Sequence, residues 1–449
     1  MFIHFGLEGT TGLLLYVAAI VCLIATIFWR PIVGIFFLLP LIPLQTVRYR
    51  MNEFPLGASF VGVILLGVAI GLLRQKRPLL PKTPWTTLLI IYMIYTFLSL
   101  IWGSVYLGAE LPIPGDPRFG VWMEYMMMPG LLLLVAALKP TPGQAKAMIL
   151  VMCLAVLALD RNFWGMVSGR DFSQFAWDLR EGGNMGYAGT NGLAAFEAQF
   201  TTFLLAISVF EKKWWLRHAY HGLALFSGVC LMYSLSRGGY VAMLAGWLFI
   251  GVAKRRWLLV LLIAFLATWT TIVPPAVKQR VLMTYSTEGV EGAELDHSAE
   301  TRLTLWEDAM QVFDSNIVLG AGFNTYQYMH RVGNYEDTHN FFLKVLVETG
   351  VLGLALFLWF LAKTFRVGLA VSRHAKDPFY ASLGLGLAGW LVAAIVANFF
   401  GDRWMFLQVC GYMWVIAGLV SGAATAEEAA EPEPGEETAE NLVLEPAAI

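Results

Sequence analysis

Residues 338–353 read THNFFLKVLVETGVLG. A His-Asn pair, His339 and Asn340, is followed at once by an apolar run long enough to enter a bilayer. That run decides the fold class, because a spanning helix needs about 20 mostly apolar residues. The 449 residues are 58% hydrophobic and 14% charged, where a soluble domain carries about 25% charged residues. The chain therefore reads as an all-α polytopic membrane protein. Outward from a span near 340–362, others fall near 11–29, 31–46, 56–73, 85–106, 121–138, 145–160, 190–210, 218–234, 239–253, 257–275, 379–399 and 405–421. About 12–13 transmembrane helices and one large helical outer loop are expected. The segment near 31–46 holds Pro31, Pro40 and Pro43, so a broken or re-entrant helix is expected there.

These spans divide the chain into four parts: transmembrane helices over 1–275, an outer loop over 276–338, transmembrane helices over 339–421 and a tail over 422–449. The tail contains TAEEAAEPEPGEETAE, acidic and without aromatics, and is expected to be disordered. No cleavable signal peptide is expected, since MFIHFGLEGTTG lacks a basic start. Lysine-bearing connections at Arg74–Lys82, Lys139–Lys146, Lys212–Arg217, Lys254–Arg256 and Lys363–Lys376 thread to one side. The positive-inside rule makes that side cytoplasmic. The 160–189 and 276–338 segments then lie outside, as does residue 1.

The outer side is dominated by arginine. It holds Arg118, Arg170, Arg180, Arg237, Arg280, Arg302, Arg331 and Arg403 among others, and of lysines only Lys278. Arginine's planar fork grips phosphate bidentately, whereas lysine is a hydrated point charge. Anion recognition is one reading of the set; pairing with loop acids such as Asp171, Asp178 and Glu181 is the other.

Three short stretches sharpen the first reading. SLSRGGY, 234–240, turns between two helices on the outer side, and Gly238 and Gly239 permit a tight turn that holds Arg237 close to membrane depth. An interfacial arginine that merely snorkels is the alternative. SAETRLTLWEDAMQVF, 298–313, has the spacing of an amphipathic helix, with Ser298 as cap and Leu303, Trp306, Met310 and Phe313 on its apolar face. Arg302 and Trp306 are i and i+4 there, and an Arg302 paired with an acid on a solvated face is the plainer reading. GAGFNTYQY, 320–328, lacks the pattern of a nucleotide loop and is expected to turn the chain back toward the membrane.

His339, at the lip of its helix, is placed to act as a base on a lipid-linked substrate. Glu348 lies inside the apolar run and needs a partner, which Lys344 one turn earlier can supply. Asn191 opens a helix after the 160–189 loop and is either a cap or a substrate contact.

The sequence has no HExxH zinc site, no GxSxG elbow and no P-loop. Of the seven histidines, His218 and His221 are three apart at a cytoplasmic helix start, without a nearby carboxylate or thiol. The four cysteines, Cys22, Cys153, Cys230 and Cys410, lie in apolar runs and read as packing residues. No metal, no other cofactor and no nucleic-acid partner is expected.

SRGGY, TRLTLW, GAGFNTY and THNFFLKVLVETGVLG occur in that order, and the series resembles the bacterial O-antigen ligase and O-antigen polymerase superfamily over roughly residues 185–400. The resemblance implies a GT-C-type membrane glycosyltransferase in the bacterial inner membrane with its site facing the periplasm. It implies transfer of a glycan from undecaprenyl pyrophosphate to an acceptor hydroxyl on lipid A core or protein, without metal and with inversion. It makes His339 the base and gives Arg237 and Arg302 the donor pyrophosphate; Asn340, Asn191, Arg180 and Trp306 are the expected substrate contacts. A cytoplasmic N-terminus is usual in the family, and the threading here departs from it. A polymerase of O-antigen or exopolysaccharide uses the same donor chemistry and differs in its acceptor. A transporter of lipid-linked glycans and a noncatalytic assembly subunit are the alternatives outside catalysis.

Overall fold

The computed structural model describes residues 8–283, 285–286, 294–295, 297–332 and 337–428. The acidic tail beyond 428 and the first seven residues lie outside the described part. In chain order the helices are α1 (Glu8–Phe28), α2 (Ile32–Leu41), α3 (Gln45–Tyr49), α4 (Phe60–Arg74), α5 (Thr86–Leu107), α6 (Pro117–Leu138), α7 (Pro142–Val167) and α8 (Gly189–Phe210). They continue as α9 (Trp214–Tyr233), α10 (Arg237–Ala253), α11 (Arg256–Ile272), α12 (Pro275–Leu282), α13 (His297–Ser315), α14 (Phe341–His374), α15 (Pro378–Phe399) and α16 (Leu407–Glu428). A two-residue strand pair, β1 (Tyr285–Ser286) with β2 (Glu294–Leu295), precedes α13.

Among the described residues seven helices, α1, α5, α6, α7, α8, α14 and α15, are each long and apolar enough to cross a membrane. α11 and α12 qualify together, bent by 108°, and α2, α4, α10 and α16 are shorter apolar helices. The chain is a polytopic helical membrane protein. Its proline-rich second segment is broken, α2 stopping at Leu41 and α3 starting at Gln45. Helix starts follow local chemistry. Asp116 and Asp377 cap α6 and α15 ahead of a first-turn proline, and Thr141 with Gln144 forms a capping box on α7.

The centre of the bundle is α8 against α15, with α9, α10 and α14 around them. Small residues set the distances. A Cβ on Gly246 of α10 would lie 2.2 Å from Thr202 Oγ1 of α8, and one on Gly389 of α15 would lie 2.9 Å from Thr202 Cγ2. Without a strong hydrophobic drive between helices in lipid, such close backbone packing is what joins them. Trp390 stacks edge-on against Phe200 at 6.0 Å in the same core. All four cysteines are buried and free.

α14 differs from expectation. It runs on to His374 and is broken at Gly350 (φ 64, ψ -172). The rings of Phe341 and Phe357 lie 5.3 Å apart, whereas 16 residues of continuous helix would separate them by ~24 Å. Residues 341–349 and 351–374 are thus two arms folded back on each other, and the second, ~36 Å long, suffices to span a bilayer.

The loop before α14 holds this joint. Ala321 and Gly322 N–H donate to the carbonyls of Val347 and Glu348 at 2.9 and 2.7 Å, and Val351 N–H donates to Ile317 O at 3.0 Å. The Glu348 carboxylate accepts from the N–H groups of Asn324 (2.9 Å) and Tyr326 (3.3 Å). GAGFN and VETG are therefore two halves of one structural unit. Lys344 does not pair with Glu348 by hydrogen bond; its Nζ meets Asp402 Oδ2 at 2.6 Å, both side chains buried.

α13 is also turned relative to expectation. Leu305, Ala309 and Val312 are buried, with Phe313 packed beside them, while Leu303 and Met310 are exposed. The small Ala309 packs in one cluster with Val347 of α14, a fit that the bulkier row does not allow. The helix begins at His297, so Ser298 lies inside it rather than capping it.

Candidate active site

Arg237 is positioned by the turn before it. Leu235, buried, has φ 59, a left-handed conformation normally left to glycine. Ser236 then caps α10, its Oγ accepting from Gly239 N–H at 3.4 Å and donating to Asn191 Oδ1 at 2.8 Å. Gly238 and Gly239 are helical, so their role is space: a Cβ on Gly239 would lie 2.6 Å from Ala194 Cβ, and one on Gly238 would lie 3.2 Å from Phe400 Cβ. Gly239 lets α10 press on α8 and Gly238 makes room for Phe400 at the end of α15, and the tight turn is made by Leu235 instead.

Asn191 lies two residues into α8, whose start is preceded by Ala188, so it is not the helix cap. Its Oδ1 also accepts from Arg180 Nη2 at 3.4 Å. One amide oxygen thus ties the 160–189 loop, α8 and the SRGGY turn together. Arg280 arrives on α12, which the bend after α11 lays against the same loop through Ala276 N–H to Phe172 O (3.0 Å) and Phe175 N–H to Gln279 Oε1 (2.7 Å). Arg280 and Arg180 both sit over the Trp177 ring, 4.8 and 5.5 Å from its centre. Arg403 comes from the α15–α16 connection, where its N–H donates to Asn398 Oδ1 at 3.0 Å.

His339 also has a positive φ, 50°. Its backbone N–H donates to Asp337 Oδ1 at 2.7 Å, and its Nδ1 meets the same carboxylate oxygen. Burial pushes the Asp337 carboxyl upward, but the hydrogen bonds and charge of His339 outweigh it and hold the pKa below the ordinary value. A proton on Nδ1 directed at Asp337 leaves the neutral ring's lone pair on Nε2.

These groups line one cavity of about 560 Å³, bounded by Trp177, Arg180, Asn191, Ser236, Arg237, Arg280, Thr301, Arg302, His339, Phe400 and Arg403. It brings together five of the expected residues: His339, Arg237, Arg302, Arg180 and Asn191. Asn340 and Trp306 fall outside its lining. Asn340 Oδ1 is the cap of α14, accepting from Phe342 and Leu343 N–H at 3.0 and 3.2 Å. Trp306 Nε1 donates to Thr338 O at 3.0 Å and clamps α13 to the segment carrying His339. Both support the site from behind.

The outer arginines divide into two sets. Arg118 pairs with Asp116, Arg170 with Glu181 and Arg331 with Asp308, so the loop-acid reading holds for these. Arg180, Arg237, Arg280, Arg302 and Arg403 converge on the cavity. Among the described residues no cluster of three His, Cys, Asp or Glu side chains is placed to hold a metal ion.

Residues 222–358, from α9 into the second arm of α14, match the family described as O-antigen ligase. The likeness to that family covers under a third of the chain. No curated protein matches the chain. The matched segment contains Arg237, Arg280, Arg302, Asp337 and His339. Trp177, Arg180 and Asn191 precede it and Arg403 follows it, so the cavity is completed by parts of the chain on both sides of the match.

Three groups escaped the sequence reading. Arg280 and Arg403 were visible only as members of the arginine-rich outer side. Asp337 carried a usable signal, a carboxylate two residues before the histidine, the spacing at which an Asx side chain bonds the backbone N–H two residues on.

Proposed function

We propose that the chain is an inverting glycosyltransferase of the O-antigen ligase type. It moves a glycan from undecaprenyl pyrophosphate to an acceptor hydroxyl at the periplasmic face of the bacterial inner membrane. The observation that carries this reading is an Asp337-held histidine facing a cavity that gathers five guanidiniums.

In this mechanism His339 Nε2 takes the proton of the acceptor hydroxyl as its oxygen attacks the anomeric carbon. The bond from that carbon to the pyrophosphate oxygen breaks, and undecaprenyl pyrophosphate departs from the opposite face. The configuration inverts. Negative charge grows on the leaving oxygen, where fixed donors in a partly desolvated site are worth about 10²–10³ in rate for each one lost. Arg237 and Arg302 hold the pyrophosphate, with Arg280 and Arg403 lining the same cavity. Asp337 keeps the ring's tautomer and stabilises the imidazolium after proton transfer. The acceptor decides between ligase and polymerase: lipid A core or protein for the first, a second lipid-linked glycan for the second.

The test is transfer by purified protein in lipid from a labelled undecaprenyl-pyrophosphate glycan, wild type beside His339→Ala. A drop of about 10²–10⁴ is expected for the variant, and undiminished transfer refutes the mechanism. One added unit on the gel indicates a ligase, a ladder a polymerase. Donor binding without transfer to any acceptor supports the transporter instead.

A further inference from the structure

A second basic cavity lies at the other end of α8. Asn191 lines the first cavity and Ser208 the second, 17 residues or ~25 Å along the helix. This one encloses about 350 Å³ over an apolar floor, with Arg217, His218, His221, Arg255 and Trp257 on its walls. No described carboxylate side chain lines it.

Its cations are held in place. Arg217 donates from Nε and Nη2 to Glu211 O at 3.0 and 2.6 Å, and Arg255 Nη2 donates to Val209 O at 2.8 Å. Both carbonyls are at the C-terminal end of α8, where the helix dipole favours cations. Each guanidinium has five N–H donors, so both keep donors beyond these anchors. The rings of Trp214, His218, His221 and Trp257 form one edge-to-face row, with successive centres 6.1, 6.0 and 6.3 Å apart. Ser208 Oγ donates to Leu205 O (2.7 Å) and so accepts from His221 Nε2 (2.9 Å), which fixes that ring's orientation. α9 and α11 both begin here without a side-chain cap, adding the positive ends of two helix dipoles.

We propose that this cavity binds a phosphate group, that of an acidic phospholipid headgroup or free phosphate. Two anchored guanidiniums supply fork geometry for the phosphate oxygens, and His218 supplies a further N–H donor. The lipid source is favoured by the surroundings. Trp214 and Trp257 are 71% and 47% exposed, and Val252 and Val260 are exposed beside them. This is the aromatic and apolar rim that a helix bundle presents where headgroups meet acyl chains.

The experiment places the full-length protein in nanodiscs of phosphatidylcholine alone or with phosphatidylglycerol and counts retained lipid by native mass spectrometry. Wild type should enrich phosphatidylglycerol. Arg217→Gln/Arg255→Gln should bind it about 25-fold more weakly, about fivefold for each arginine. His218→Ala/His221→Gln, which leaves both arginine anchors in place, should weaken it as well. Inorganic phosphate, titrated against wild type in both kinds of disc, separates the sources: quenching of tryptophan fluorescence in phosphatidylcholine discs, with displacement of phosphatidylglycerol in the mixed discs, identifies free phosphate. Failure of wild type to enrich phosphatidylglycerol or to bind phosphate overturns the proposal. So does equal binding by both folded variants.

Discussion

Gly350→Ala tests whether the fold-back of α14 is what presents His339. At φ 64, ψ -172 the residue occupies a region open essentially to glycine, and a side chain there costs about 1–3 kcal/mol. The added Cβ would lie 2.1 Å from Val318 O, a backbone atom, so the loop has to move away. That movement strains the three hydrogen bonds across the joint, each worth about 0.5–1.5 kcal/mol net. The expected loss is ~3–5 kcal/mol, with the 316–326 loop released from α14. Gly130→Ala is the matched control. Gly130 is helical in α6 with nothing within 4 Å of a Cβ, and the change should be neutral or stabilising by up to about 1 kcal/mol. Unfolding of both proteins in lipid-detergent mixtures, followed by tryptophan fluorescence, gives the comparison. If Gly350→Ala unfolds together with Gly130→Ala, the joint is not what the reasoning takes it to be.

Lys344→Met and Asp402→Leu should each cost ~3–5 kcal/mol, since each strands a buried charge, while the double replacement should cost less than either; additive losses in the same unfolding assay would exclude a coupled pair. Asp337 gives a pH dependence of definite sign. Its folded pKa is below the ordinary 3.8, so its contribution to stability is complete above that value and is lost as pH falls through the lower folded value. Asp337→Asn should therefore flatten the acid limb of the melting curve, and an unchanged limb would show that the contact with His339 is not maintained in solution.

Hydropathy was enough for the class and for most helix positions, because a bilayer leaves a chain few ways to satisfy its backbone. It could not show the break in α14. The run is mostly apolar on both sides of Glu348–Gly350, and only the loop at 316–324 makes the reversal favourable. The same holds for α13, where helical spacing suggested Leu303 and Met310 for the buried face, whereas Leu305, Ala309 and Val312 are the buried ones, Ala309 and Val312 in one cluster with Val347. Buried carboxylates were also missed. Asp160 and Glu197 sit inside apolar runs with no exposure, and Ser227 donates to Asp160 between α7 and α9. Of the site, His339 and Arg237 stood out because their residue types are costly near a membrane, whereas Arg302 came from the family resemblance, its spacing alone favouring a solvated ion pair. Asn340 and Trp306 were in the right segments, but their polar atoms are used by the backbone. Arg280 depends on a 108° bend and Arg403 on a turn between distant helices, neither of which has a local sequence period.

Gathering five guanidiniums around one cavity has an energetic consequence of its own. Two like charges 8 Å apart repel by about 0.5 kcal/mol in water and by about 2 kcal/mol at an effective dielectric of 20. The supporting bonds, Ser236 to Asn191, Trp306 to Thr338 and Lys344 to Asp402, keep the elements that carry these groups from separating. A dianionic ligand should relieve that repulsion and bridge elements that are far apart in the chain. Inorganic pyrophosphate, the part of the donor that the arginines are proposed to hold, should therefore raise the melting temperature. The stabilisation follows RT ln(1 + [L]/Kd), about 2.7 kcal/mol at 100 times Kd. It should weaken as salt is added, because part of it is screened charge. Arg237→Ala and Arg302→Ala should each reduce it, and Arg331→Ala, whose arginine pairs with Asp308 away from the cavity, should leave it intact. An equal pyrophosphate response in all three variants would place the anion elsewhere, and the arginine cavity would lose its claim to the donor.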